Sequence, residues 1–225
     1  MATFAAVKSN SNHIRAVLFD LDGVVVLTES QYDEFWGGEI ARYYPDRPEI
    51  NQAIKGQTLV HIYEKWFSGP LEKEQPGITA RLNDFEANMR FDYTPGLIGF
   101  IADLRSHGIK TALVTSSNHP KMESVYRARP EFKSLFDRIL TSEDFSHSKP
   151  HPECYLMAAD GFGLNPADCV VCEDSYNGLR SGRAAGALVL GLTTSHSAAE
   201  LAPYSDMQIP DFKDFTYEKL CRGLC

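Results

Sequence analysis

Asp20 and Asp22 stand two residues apart where the apolar run Val17-Leu18-Phe19 ends, and Gly23 follows at once. On a strand the side chains alternate, so both carboxylates project to the same side at the point where the strand runs out. Gly23 lets the chain turn there without a Cβ penalty. Two acids so placed repel each other and call for a cation, a proton or a phosphoryl group between them. Three later clusters offer partners: Thr115-Ser116-Ser117-Asn118, Lys149, and Glu173-Asp174-Ser175. Asp20, Glu173 and Asp174 make a hard, oxygen-only donor set suited to Mg²⁺. A carboxylate outside that set can serve as nucleophile or proton carrier. Thr115 brings a hydroxyl and the backbone N–H groups after it, and Lys149 a compact positive charge. Together these are the parts of a phosphoryl-transfer site, which works by positioning and charge neutralisation. Each cluster alone has a plainer reading: a turn at Asp20–Gly23, helix caps at Thr115–Ser117 and Glu173–Ser175, and a solvated loop at Lys149-Pro150.

The elements that must position these residues can be read in order. Apolar strands are predicted at 15–20, 110–115, 138–141, 169–172 and 187–191, with helices at 97–107, 121–129, 152–162 and 179–185 between them. Gly108 and Gly186 stand where two of those helices should close. Weaker strand and helix signals run on to the C-terminus. Alternation of this kind predicts a Rossmann-like α/β core, a parallel sheet covered on both faces. In open sheets ligands bind beyond the carboxyl ends of the strands, and all four clusters fall at such ends. Between 30 and 92 the pattern is helical (30–44, 48–67, 71–93), softly broken at Lys55-Gly56, with no convincing strand. The expected division is therefore a core of 1–29 and 93–225 with a helical insert at 30–92.

The chain has 225 residues, a formal net charge of -8 and a pI near 5.4. That length suits one sizeable core with a smaller satellite, and the acidic balance argues against nucleic-acid or anionic-membrane partners. No run has the length of a membrane helix, and Met1–Asn12 reads as a short polar leader. Cys169-x-x-Cys172 lies within an apolar strand and has no second pair at zinc spacing, so it reads as core packing with reduced thiols. His61, His107, His119, His147 and His151 show no ligand spacing with one another. A cytoplasmic, monomeric enzyme is expected.

The four clusters in this order resemble the haloacid dehalogenase superfamily, in the subgroup of β-phosphoglucomutase and phosphoglycolate phosphatase. The matching segments are Asp20-Leu21-Asp22-Gly23-Val24, Val114-Thr115-Ser116-Ser117, Ser148-Lys149-Pro150-His151-Pro152 and Cys172-Glu173-Asp174-Ser175, supported by Gly178–Gly186. The resemblance implies that Asp20 is the nucleophile that becomes an aspartyl phosphate, and that Asp22 is the general acid and base. It implies Mg²⁺ held by Asp20, the Asp22 carbonyl, Glu173 and Asp174. Thr115 and Ser116 would hold the phosphoryl oxygens and Lys149 would steady the nucleophile. Because the family's dehalogenases lack the second acid, Asp22 speaks against dehalogenation.

By the same resemblance, 30–92 is a cap that reads the leaving group, with Thr28, Lys55 and Gly56 as its substrate-side contacts. Thr28 and Lys55-Gly56 are mutase-like. Three departures count against a sugar phosphomutase: Leu59 where that family has an arginine, Leu27 where an aspartate is usual, and Tyr32 at a histidine position. A mutase must hold a bisphosphate, for which a bidentate guanidinium is well suited, and Arg47, Arg81 or Arg90 would have to replace it. The favoured reading is Mg²⁺-dependent hydrolysis of a small phosphorylated metabolite, a sugar or organic-acid monophosphate. A phosphomutase is the alternative, and a non-catalytic binding protein a third class disfavoured by the intact motifs.

Overall fold

The computed structural model describes residues 14–224, so the Met1–Asn12 leader and Cys225 lie outside the described residues. Strand β1 (Ala16–Phe19) is followed by helices α1 (Glu29–Tyr43), α2 (Ile50–Ala53), α3 (Leu59–Trp66) and α4 (Gln75–Ala87). The remainder alternates: α5 (Leu97–Ser106), β2 (Lys110–Val114), α6 (His119–Ala128), β3 (Arg138–Leu140), α7 (Glu153–Asp160), β4 (Cys169–Glu173), α8 (Tyr176–Ala184), β5 (Leu188–Leu192), α9 (Ala198–Leu201), β6 (Met207–Ile209) and α10 (Tyr217–Leu224). The six strands form one sheet in the order β3-β2-β1-β4-β5-β6, and every pairing is parallel. The predicted α/β core is therefore present, with β1 at the point where the strand order switches direction, the usual place for a ligand crevice.

The period of two along the strands sorts their side chains between two apolar layers. Val17 and Phe19 enter one with Leu97, Phe100 and Phe212, whereas Ala16 and Leu18 enter the other with Tyr155 and Ala158. Phe19 is fully buried and makes edge contacts with Phe100, Phe136 and Phe212 at 6.0–6.2 Å between ring centroids. Cys169 and Cys172, three apart on β4, fall in opposite layers and are free thiols. They pack as small hydrophobes, as expected.

Helices α1–α4 bury a separate cluster built on Trp36, Ile40, Ile50, Ile62, Phe67 and Leu82. Phe67 is its hub, fully buried with Trp36, Tyr43, Tyr44 and Tyr63 around its ring. Arg81 of α4 forks onto Glu39 of α1, both hydrogen bonds 2.7 Å long. The chain leaves the sheet and returns to it along two strips joined side by side: Leu27 N–H donates to the Asp92 carbonyl (2.8 Å) and Thr94 N–H to the Val25 carbonyl (3.1 Å).

Most element boundaries agree with the sequence reading within a few residues. The 48–67 segment is two helices, because at Gly56 (φ +73°) the chain enters the left-handed region that glycine tolerates. Helix α6 starts at His119 rather than Lys121, because Asn118 accepts from the Lys121 N–H and Pro120 fits the first turn. No helix among the described residues is long and apolar enough to cross a membrane.

Candidate active site

Asp20 stands immediately beyond β1, Thr115 beyond β2, and Glu173-Asp174 at the end of β4, so the parallel sheet brings three motifs to one edge. The fourth arrives from the loop after β3. Lys149, fully buried, donates to Asp20 Oδ1 (2.6 Å), Glu173 Oε1 (2.7 Å) and the Val114 carbonyl (3.1 Å). Those three bonds use its full donor capacity. Burial works against the ammonium, but the carboxylates of Asp20 and Glu173 outweigh it and hold the pKa above the ordinary lysine range.

The carboxylates are crowded. Asp20, Glu173 and Asp174 are all buried, each with a potential ligand oxygen within 4.8 Å of the others. Burial first, then Glu173, pushes Asp20 up from 3.8 to about 7 against the pull of Lys149. Asp174 is driven well above its usual range by burial and by Glu29, Glu173 and Asp20. Glu173 is already engaged on both oxygens: Oε1 also accepts from Tyr155 (2.7 Å), and Oε2 from Ser175 Oγ (3.2 Å) and Asp174 N–H (3.3 Å). Asp174 accepts from Ser195, and a Cβ on Gly23 would lie 1.9 Å from its Oδ2, so the Asp22–Gly23 backbone abuts this carboxylate. Only glycine permits that approach, at φ +73°. One buried lysine among three buried acids leaves excess negative charge, and an all-oxygen cluster of this size suits a hard divalent cation such as Mg²⁺.

Asp22 faces different partners. Its carboxylate accepts from Thr28, from Ser117 Oγ at 3.3 Å, and from Lys121. Thr28, expected as a substrate-side contact, is fully buried, donates to Asp22 and is not among the residues lining the chamber. Thr115 lies on the chamber wall with its Oγ1 accepting from Ser117 N–H (3.0 Å). Ser116 Oγ donates to the Gly56 carbonyl (2.8 Å), across to the helical insert.

Helices α1–α4 roof these groups, leaving an empty volume of about 770 Å³ that is partly open to solvent. Chambers of this kind hold small molecules. The Lys55-Gly56 turn is wedged onto the sheet edge: Asn177 Nδ2 donates to the Lys55 carbonyl (2.7 Å), Ser148 Oγ accepts from Thr58 N–H (2.9 Å), and a Cβ on Gly56 would come within 2.5 Å of Ser175 Oγ. Lys55 itself is enclosed by Glu29 and Asp33, each at 3.0 Å. Among the described residues, the lining carries six carboxylates (Asp20, Asp22, Glu29, Asp33, Glu86, Asp174) and two ammonium groups (Lys55, Lys121). No arginine lines it: Arg81 is bound to Glu39, Arg47 to Glu49, and Arg90 stands exposed.

Several of these residues escaped the sequence reading. Lys121 is only 2% exposed and also sits 4.4 Å from the Tyr32 ring centroid. Its signal was a cation in the first turn of α6, where the helix dipole disfavours one. Tyr155, Ser195, Glu29 and Glu86 carry no sequence signal that separates them from ordinary helix and loop residues.

The chain is similar to known proteins. A family model described as haloacid dehalogenase-like hydrolase matches residues 14–186. Hexitol phosphatase A of Escherichia coli (strain K12) is 32% identical over 213 residues, covering 93% of this chain and 96% of that protein. Validoxylamine A 7'-phosphate phosphatase of Streptomyces hygroscopicus subsp. limoneus is 28% identical, covering 89% and 95%. In fold, the crystal structure of β-phosphoglucomutase from Clostridium difficile superposes with a TM-score of 0.72 at 23% identity, covering 94% of this chain and 97% of that one. The chain belongs to the haloacid dehalogenase-like hydrolases, as a phosphoric monoester hydrolase.

Proposed function

We propose that this enzyme is a Mg²⁺-dependent phosphatase that hydrolyses a small phosphorylated sugar or related metabolite through an aspartyl phosphate on Asp20. The observation that carries the reading is Lys149: fully buried, it bridges Asp20 and Glu173 beside the Asp174 carboxylate. Such a lysine orients one oxygen of Asp20 and leaves the other directed to a reacting phosphorus. Asp20, Asp174 and the Asp22 carbonyl would hold the ion; Glu173, although within the acidic cluster, has both oxygens engaged and serves chiefly to anchor Lys149. When bound, Mg²⁺ supplies charge neutralisation and a fixed orientation for the phosphoryl oxygens.

In the forward step Asp20 attacks phosphorus, the ester P–O bond breaks, and Asp22 delivers a proton to the departing oxygen. Water then attacks the aspartyl phosphate, with Asp22 taking its proton back, and phosphate leaves. The Thr115 side chain and Ser116 with its backbone N–H receive the phosphoryl oxygens, the Thr115 N–H being held by the Leu140 carbonyl (3.0 Å), and the helices of 30–92 form the cap over the leaving group, latched by Lys55-Gly56. A monomer in the cytoplasm, with its cysteines reduced, is the expected setting.

Hydrolysis is preferred to phosphomutation because no guanidinium lines the chamber to hold a second phosphate. Phosphate release from a panel of phosphomonoesters with Mg²⁺, run beside β-glucose 1-phosphate coupled to glucose 6-phosphate detection, decides between them. Phosphate release is expected. Conversion to glucose 6-phosphate without phosphate release would sink the hydrolase reading.

A further inference from the structure

Glu86, on the last turn of α4, is 5% exposed and lies on the chamber wall. Its Oε1 accepts from Tyr32 Oη at 2.7 Å, but its buried Oε2 has no hydrogen-bond partner. A buried carboxylate oxygen left unpaired forfeits its hydration without compensation, which folded proteins tolerate chiefly where a ligand completes the bond. A second buried acceptor without a partner, Gln57 Oε1, belongs to a residue on the same lining. A carboxylate only accepts, so the missing group is a donor.

Charge narrows the choice. Both lining ammonium groups are already committed, Lys55 to Glu29 and Asp33, and Lys121 to Asp22. A leaving group bearing a carboxylate or second phosphate would meet Glu86 and Glu29 with no free cation among the described lining residues. An ammonium is also poorly served, because Lys121 stands over the Tyr32 ring beside Glu86. Neutral hydroxyls fit on both counts.

Resting on the phosphatase reading above, we infer that Glu86 is the residue that reads the leaving group, accepting from a hydroxyl of a neutral polyol or sugar, and that esters with anionic leaving groups are rejected. The discrimination belongs to this carboxylate on α4, not to the motif residues at the sheet edge.

The test uses the full chain with Mg²⁺ and compares kcat/KM for sorbitol 6-phosphate, 2-phosphoglycolate, phosphoethanolamine and p-nitrophenyl phosphate. Sorbitol 6-phosphate should exceed both charged esters by at least about tenfold, and Glu86→Gln should shrink its ratio to 2-phosphoglycolate by about ten- to a hundredfold. Should Glu86→Gln fail to fold, wild-type inhibition serves instead: free sorbitol should compete with p-nitrophenyl phosphate and glycolate should not. Equal ratios in wild type and Glu86→Gln, preference for a charged ester, or glycolate competing as well as sorbitol would each overturn the inference while leaving the phosphatase intact. Absence of phosphate release from all four esters would overturn the phosphatase reading, and this inference with it.

Discussion

The sheet edge and the helical roof solve the problem of buried charge in opposite ways. At the edge, Asp20, Glu173 and Lys149 form a closed set in which the lysine uses all three donors and Glu173 uses both oxygens. Under the roof, Lys55 is neutralised but Glu86 Oε2 and Gln57 Oε1 stay unpaired. Strand ends fix side chains through the backbone ladder, so chemistry that needs sub-ångström placement is kept there. Helix-borne side chains reach inward on longer stems and can leave acceptors open for a ligand to satisfy. On the function proposed above, reaction type would be written in the rigid layer and the choice of substrate in the adaptable one.

Breaking the edge should cost most. Lys149→Met removes the cation between two buried acids, leaving Glu173 and Asp20 uncompensated. Stability should fall by about 3–5 kcal/mol in urea titration, with turnover reduced at least a hundredfold at saturating substrate. A loss of KM alone with kcat preserved would contradict the placement of Lys149 at the reacting group. Breaking the roof comes next. Phe67→Ala empties the hub of the helical cluster and should cost about 3–5 kcal/mol of local stability. Hydrogen exchange should then rise in α1–α4 well before it rises in β1 or β4. Uniform loosening of both regions would show that they are not separately packed.

The joint between them is subtler. Gly56→Ala forces a Cβ onto the left-handed turn and toward Ser175 Oγ at 2.5 Å. A cost of about 1–2 kcal/mol is expected, read as a raised KM from a looser roof, with the sheet-edge chemistry retained. Smallest is a pH effect on the metal-free protein. Asp20 is raised from 3.8 to about 7, so the folded state binds this proton more tightly than the unfolded state. Its contribution therefore declines as pH rises between those values, and thermal midpoints should drop by a few degrees from about pH 5 to about pH 8. Asp20→Asn should flatten that slope, and Mg²⁺ should restore more stability at the upper end than at the lower. An unchanged slope in Asp20→Asn would assign the effect to other groups.

How legible each region is in the sequence follows from the same contrast. Strands β1, β2 and β4 announce themselves as apolar runs, and their polar terminations mark the edge, so Asp20, Asp22, Thr115, Glu173 and Asp174 can be found by following the chain. Ser175 shows that the plain and the functional reading can both hold: it does cap α8, accepting from Gly178 N–H at 3.1 Å, while its neighbours face the site. β6 (Met207–Ile209) is three residues long and only partly buried, too short for a period to show. The roof defeats linear reading because its partners are remote in sequence, Lys55 held by Glu29 and Tyr32 by Glu86, as Asp22 is by Lys121 at the edge. No local pattern encodes those pairs. The Lys55-Gly56 turn, read in the sequence as a break in the helical pattern and a substrate-side contact, lines the chamber and rests on Ser116 and Asn177.

Rapid acid quench of the Mg²⁺-loaded enzyme turning over sorbitol 6-phosphate, followed by borohydride reduction and peptide mass spectrometry, tests the central claim most directly. An acyl phosphate on Asp20 is reduced to homoserine at that position, and the account predicts this conversion in the peptide containing Asp20 and nowhere else. Steady phosphate release with Asp20 unmodified at every quench time, or conversion at Asp22 or Asp174, would contradict it.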